Sequence, residues 1–193
     1  MRLRQEQVQE NRRRIIETAG RLFRERGFDG VGVAELMAAA GFTHGGFYNH
    51  FPSKEALAAE VSGDSLARSN ESLAAALEEG GKPAFRRYLG SYLSAKHRDD
   101  PAAGCTLAAL SSDAGRQKPE VQTCFARGLR EVLSLLIGVL GARGGRGKSG
   151  VARQEAVRTY SEIVGAMVLS RAVAAADPAL SQEILDASRK ALS

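Results

Sequence analysis

The stretch that decides the fold is Gly41-Phe42-Thr43-His44-Gly45-Gly46-Phe47-Tyr48-Asn49-His50-Phe51-Pro52-Ser53-Lys54-Glu55. Glycine at 41 ends a preceding apolar segment, and Pro52 ends the aromatic one. Ser53 then caps a new helix that starts on a lysine. Two short helices joined by a tight glycine-containing turn, the second of them aromatic and followed by a basic helix start, have the layout of a helix-turn-helix. Within the second helix, Phe47 and Phe51 are expected to anchor the element in a core. Thr43, His44, Gly45, Gly46, Tyr48, Asn49 and His50 are left nearer to a major groove.

Working towards the N-terminus, Ile15, Ala19, Leu22 and Phe23 form one stripe of a first helix, with Arg12, Arg13, Glu17, Arg21 and Arg24 largely outside it. Gly27 is expected to stop that helix. The second helix should run from Val33 to Ala40. Arg2, Arg4 and Arg12 to Arg14 make a basic arm that reads either as a solvated helix face or as a contact with DNA.

Towards the C-terminus, apolar residues recur at helical spacing almost everywhere and strand-like alternation is missing. The helix capped by Ser53 should continue to about Glu78. Gly80-Gly81 separates it from a segment with Phe85, Tyr88, Leu89 and Tyr92, broken in turn by Pro101 and Gly104. A short helix follows from Cys105 to Leu110. Pro119 opens a long stripe of Val121, Phe125, Leu129, Val132, Leu133, Leu136, Ile137 and Leu140. After the glycine-rich run 141–150, one helix carries Val157, Tyr160, Val164, Met167 and Val168. Beyond Asp177-Pro178, another carries Leu180, Ile184, Leu185 and Ala191. The fold class is therefore all-α, with an N-terminal three-helix helix-turn-helix domain over 1–54 and a larger C-terminal helical domain over 55–193.

The chain has 193 residues, 44% hydrophobic and 25% charged, with a formal net charge of +5. That length supports a real core, and the composition argues against a disordered chain. The mild positive charge permits a nucleic-acid partner without requiring one. No run is apolar enough to span a bilayer or serve as a signal peptide, so the expected location is cytoplasmic, and Cys105 and Cys124 are expected as reduced thiols.

Ile15 to Ala19, Leu22 to Phe28, Ala39 to Thr43 and Phe47 to Glu55 together resemble, in order and spacing, the DNA-binding region of the TetR family of transcriptional regulators. Gly104-Cys105-Thr106-Leu107 and Asp113 are loosely similar to one of that family's C-terminal domains. The resemblance implies a homodimer whose N-terminal modules bind the two half-sites of a palindromic double-stranded DNA operator. Its C-terminal domains would dimerise and hold a small-molecule effector, with repression as the usual outcome and no cofactor. It passes phosphate contact to Tyr48, His50 and Lys54, and the base-facing surface to His44, Gly45, Gly46 and Asn49. The chain departs from the family in having Gly32, Val33 and Ala34 where a hydroxyl residue and a base-reading arginine are common. Gly45-Gly46 is a poor helix former, by roughly 1 kcal/mol per glycine relative to alanine.

For the effector, Tyr88, Tyr92, Phe125 and Tyr160 bring aromatic faces and hydroxyls to helices otherwise built from alanine, leucine and valine. They read equally as core aromatics. Cys105 and Cys124 offer a thiol-based alternative, in which an oxidant or electrophile is the signal. Small residues Gly165, Ala166, Ala172, Ala174 and Ala175, interleaved with Met167, Leu169 and Val173, suit a close helix-helix interface in the last two helices.

Functions of other classes find less support. Ala142 to Ser149 fits a relaxed phosphate-binding loop, but no strand precedes it and no magnesium-holding acid follows in context. Three histidines at no zinc-ligand spacing give no metal site, and no nucleophile, base and orienter can be assembled into a catalytic set. A helical interaction protein that does not bind DNA would leave the Tyr-Asn-His cluster unexplained.

Overall fold

The computed structural model describes residues 2–78, 80–141 and 149–193, and among them every regular element is helical. The α-helices are α1 (Arg2–Arg26), α2 (Val33–Ala39), α3 (Lys54–Glu78), α4 (Gly81–Tyr92), α5 (Ala95–Asp99), α6 (Thr106–Ala114), α7 (Pro119–Gly141), α8 (Ser149–Val173) and α9 (Pro178–Leu192). A 3-10 helix, His44–Asn49, lies between α2 and α3. The glycine-rich run read as a loop, with its phosphate-loop variant, falls mainly on 142–148 and so lies outside the described residues.

The helix boundaries follow from local chemistry. Gly27 and Gly41 take φ of +78° and +82°, a left-handed conformation that ends α1 and α2 and that L side chains avoid. The hydroxyl of Ser53 accepts the backbone N–H of Ala56 at 3.1 Å and caps α3. The Asp177 carboxylate accepts from Leu180 N at 2.9 Å, with Pro178 in the first turn of α9. One break escaped the periodicity. Ser94 accepts from His97 N at 3.2 Å and starts the short α5, so the segment from Gly81 to Asp99 is two helices, broken after Tyr92, and not one.

The chain forms two compact units, one of residues 1–66 with 101–126, the other of residues 67–100 with 127–193. In the first, Ile15, Ala19, Phe23, Phe28, Leu36, Met37, Phe47, Phe51, Leu57 and Val61 make a core of fully buried apolar side chains. α6 belongs to the same unit and packs on α1. The Arg24 Nε donates to Ala102 O at 2.6 Å, and its Nη1 donates to the Ser65 hydroxyl at 3.3 Å.

The second unit is built on α8 against α9, with Leu89, Leu93, Val132, Leu136, Ala156, Ile163, Met167 and Leu185 in its interior. Ser170 and Ser181 fasten that pair, each hydroxyl donating to the other's carbonyl at 2.9 Å. The buried Asn70 amide donates to Gly128 O at 3.1 Å and to the Glu131 carboxylate at 3.0 Å, joining α3 to α7. Leu129, placed by its spacing on the buried stripe of α7, is instead exposed.

Candidate nucleic-acid interface

The 3-10 turn begins where α2 stops. Ala40 is the last residue of the right-handed turn, Gly41 reverses the chain, and Phe42 N donates to Met37 O at 2.8 Å. Thr43 enters the next helix in an extended conformation, and its side chain makes no capping bond. The sequence leads one to expect an α-helix over Thr43–Asn49, and the chain forms a 3-10 helix over His44–Asn49. Two glycines, the absence of a cap and Pro52 just beyond leave too few favourable residues for α-helical propagation, and the tighter 3-10 turn fits that length.

Two phenylalanines hold this turn from below. Phe47 and Phe51 are fully buried with ring centroids 5.7 Å apart, and the N–H groups of His50 and Phe51 both donate to Phe47 O. Their burial pushes the intervening residues outward. Tyr48 is 65% exposed although its ring meets Phe47 edge-on at 5.3 Å and His44 edge-on at 6.4 Å. Thr43, His44, Gly45 and Asn49 are exposed beside it, while Gly46, His50 and Lys54 are half-buried. The turn thus brings together in sequence every residue expected to face DNA, with Lys54 at the head of α3.

Neither glycine of the turn is demanded by the fold. A Cβ at Gly45 would meet open space, and one at Gly46 would make only ordinary contact with the Met37 methyl at 3.7 Å. Close approach of another molecule's backbone is a use for such bareness. At the start of α3, the Glu55 carboxylate is held below the usual carboxylate range, first by its own backbone N–H, then by the Ser53 hydroxyl, and further by Lys118 at 3.8 Å. These contacts keep the acid engaged at its helix end.

Sequence reasoning missed the residues on α1 that grip this element. Arg14 donates from Nη2 to Ala40 O at 3.0 Å with its guanidinium 5.2 Å from the Phe42 ring centroid. Arg12 makes a two-pronged ion pair with Glu60 and lies 4.5 Å over the Phe51 ring. Arg13 pairs along its own helix with Glu10 and Glu17. Of the expected effector residues, Tyr88 and Tyr92 are ring neighbours at 5.6 Å in the second unit, where Tyr160 is also buried. Cys105, Cys124 and the buried Phe125 belong to the first unit, and neither cysteine is in a disulfide.

Residues 15–61 match the model of the family described as bacterial regulatory proteins, tetR family. The chain is 31% identical over 116 residues to the HTH-type transcriptional repressor DhaR of a Mycobacterium species, a match covering 60% of this chain and 58% of DhaR. It is 28% identical over 130 residues to the HTH-type transcriptional repressor NemR of Escherichia coli, covering 66% of this chain and 65% of NemR. The chain therefore spans a little under two thirds of these relatives' length. In fold it is similar to the reduced form of Escherichia coli NemR, with a TM-score of 0.79 and 24% identity over 95% of each chain. It is also similar to a TetR-family regulator from Agrobacterium tumefaciens, with a TM-score of 0.76 and 21% identity over 96% of this chain and 99% of the other. The helix-turn-helix geometry is in place over the very residues, 15–61, in which the chain matches the tetR family of bacterial regulatory proteins.

Proposed function

We propose that this protein is a cytoplasmic transcriptional repressor that binds a palindromic double-stranded DNA operator as a homodimer and leaves it when a small-molecule effector binds. The observation that carries the reading is the 3-10 turn, where a largely exposed Tyr48 stands between the buried anchors Phe47 and Phe51. An exposed tyrosine on a rigidly anchored turn, flanked by Thr43, His44, Asn49 and His50 and followed by Lys54, matches what a major-groove reader needs. Tyr48, His50 and Lys54 would donate to phosphates, and Thr43, His44, Gly45, Gly46 and Asn49 would face base edges. The repressors DhaR and NemR, similar over this region, support the same direction of control.

By role, residues 1–54 would serve DNA binding and residues 55–193 effector binding and dimerisation. For the dimer, Val168 and Leu169 on α8 and Leu180 on α9 are exposed although apolar, an arrangement that a second copy of the chain would cover. Among the described residues no helix is long and apolar enough to cross a membrane. The reading is tested by selecting bound duplexes from a random pool and measuring the mass of the protein on them. Enrichment of a palindrome bound by two chains supports it, and failure to enrich any sequence sinks it.

A second reading of the effector rests on Cys105. This residue immediately precedes α6 and lies three residues beyond the Ala102 carbonyl that Arg24 of α1 holds. An oxidant or electrophile acting on that thiol would then alter a segment already fastened to the first helix. Operator release on peroxide treatment that persists in both Cys105→Ser and Cys124→Ser excludes the thiol route and leaves a reversible ligand, for which Tyr88, Tyr92, Phe125 and Tyr160 are the candidates.

A further inference from the structure

Arginines 12 and 14 lie on the first helix of a DNA-binding module, where basic side chains are expected to reach for phosphate. Here both turn inward to the reading turn, and they grip its opposite ends. Arg14 holds the entry: its Nη2 donates to Ala40 O at 3.0 Å, its plane lies by the Phe42 ring, and a Cβ at Gly41 would come within 3.0 Å of the same nitrogen. Arg12 holds the exit: its fork is closed on both oxygens of Glu60 from α3, and its guanidinium sits 4.5 Å over Phe51. His50 lies between the two grips, with its ring centroid 6.5 Å from Phe42 and 6.4 Å from Phe51. The result is a row of planar groups, Arg14, Phe42, His50, Phe51 and Arg12, terminated by the Glu60 carboxylate.

The reading turn needs such support because its own sequence supplies little. It is a 3-10 helix of 6 residues with no side-chain cap at Thr43 and with Gly45 and Gly46 inside it. Such turns have poor hydrogen-bond geometry, and glycine raises the entropy lost on ordering them. Discrimination between base pairs depends on side chains held close to one productive geometry. A guanidinium already committed to a carboxylate and a ring, or to a carbonyl and a ring, is poorly placed to neutralise phosphate as well.

We propose, resting on the DNA-binding reading above, that Arg12 and Arg14 are positioning residues that set operator selectivity by bracing the two ends of the 3-10 turn, with Glu60 as the counterpart of the Arg12 grip. They do not act as phosphate contacts. The prediction that separates these roles concerns salt. A phosphate contact removed lowers the slope of log affinity against log salt by about 0.9, and weakens binding to every duplex alike. A brace removed leaves that slope in place and lowers the preference for one duplex over others.

The test uses the full chain, the duplex it enriches from a random pool and one unrelated duplex of the same length. Arg12→Gln and Arg14→Gln are expected to lower the ratio of the two affinities about tenfold or more, with the salt slope on the unrelated duplex unchanged. Glu60→Gln is the sharper variant, since it releases Arg12 without removing any positive charge. The brace predicts a lower ratio, whereas a phosphate-seeking Arg12 freed from its acid would tighten binding to both duplexes and steepen the slope. Phe42→Leu keeps every charge of α1 and is expected to lower the ratio as Arg14→Gln does; thermal melts of all variants separate loss of fold from loss of grip. A slope reduced by about one in either arginine variant, or an unchanged ratio in folded Arg14→Gln and Phe42→Leu, overturns the proposal while the DNA-binding reading stands. A wild-type chain that enriches no duplex overturns both.

Discussion

The carboxylate of Asp113 on α6 occupies the place where a Cβ at position 27 would have to stand. Gly27 is at the same time left-handed, with φ of +78°, so two independent constraints hold that residue to glycine. The end of α1 and the end of α6 are thereby packed at van der Waals distance in one compact unit. Gly27→Ala should lower unfolding stability by about 1 to 2 kcal/mol from the backbone conformation alone, and by more from the Asp113 contact. Adding Asp113→Ala should recover only the second part. A denaturant series on the two single variants and the double variant measures the coupling, and strict additivity would show that the contact carries no strain.

On the surface proposed to face DNA, Tyr48→Ala and Lys54→Ala are expected to weaken binding to all duplexes and to lower the salt slope by about one each. Asn49→Ala and His44→Ala should change which duplexes are preferred and leave the slope nearly as it was. Because Tyr48, Asn49 and His44 are exposed, none of these three should move the melting temperature much. Fluorescence titrations at several salt concentrations distinguish the two groups, and a Tyr48→Ala chain with wild-type affinity would rule out the proposed docking.

Much of this architecture is legible in the chain because its punctuation is local. Gly27, Gly41, Pro52-Ser53, Gly80-Gly81, Pro119 and Asp177-Pro178 act through backbone conformation or capping within a few residues, and helices end and start where they stand. Phe47 and Phe51 could be assigned to the core for the same reason, since a four-residue spacing puts both on one side of a short turn. What the sequence does not reveal is held by distant pairs. Arg14 finds the Ala40 carbonyl 26 residues away, and Arg12 finds Glu60 48 residues away, with no periodicity to announce either. Leu129 is likewise one apolar residue in a regular stripe, and only packing decides that it faces outward.

The apolar surface of α8 and α9 gives a prediction about assembly. Leu169 is 59% exposed within a single chain, and Val168 and Leu180 are each 42% exposed, so Leu169→Glu should leave the monomer fold intact. In a two-fold interface the same substitution places two unpaired carboxylates in apolar surroundings. It should weaken association by on the order of 3 kcal/mol, roughly a hundredfold in dissociation constant. Sedimentation equilibrium, set beside operator binding, reads both consequences. An intact Leu169→Glu dimer would place the interface on another surface.

The last prediction concerns acid stability and follows from His97. Its Nδ1 lies 2.7 Å from the Tyr92 carbonyl, and because a carbonyl only accepts, the proton of the neutral ring sits on that nitrogen. The Tyr92 ring meets the imidazole edge-on at 4.5 Å. Burial pulls the His97 pKa below the ordinary histidine value, with Arg171 acting in the same direction, while the Tyr92 carbonyl and Asp100 oppose the shift without overcoming it. The neutral imidazole is therefore the form the fold prefers. As pH falls below about 6.5, the unfolded chain takes up a proton at this site before the folded chain does, so unfolding is favoured by the difference. The contribution of His97 is complete above that range and is lost progressively as pH drops towards its lowered folded value. His97→Gln, which cannot titrate, should lack this part of the decline, so the stability gap between wild type and variant should narrow as the solution is acidified from neutrality. Urea unfolding of both chains at a series of pH values between 7.5 and 5 checks this. A gap that stays constant over that range, or widens in acid, would show that the histidine is not held neutral against Tyr92.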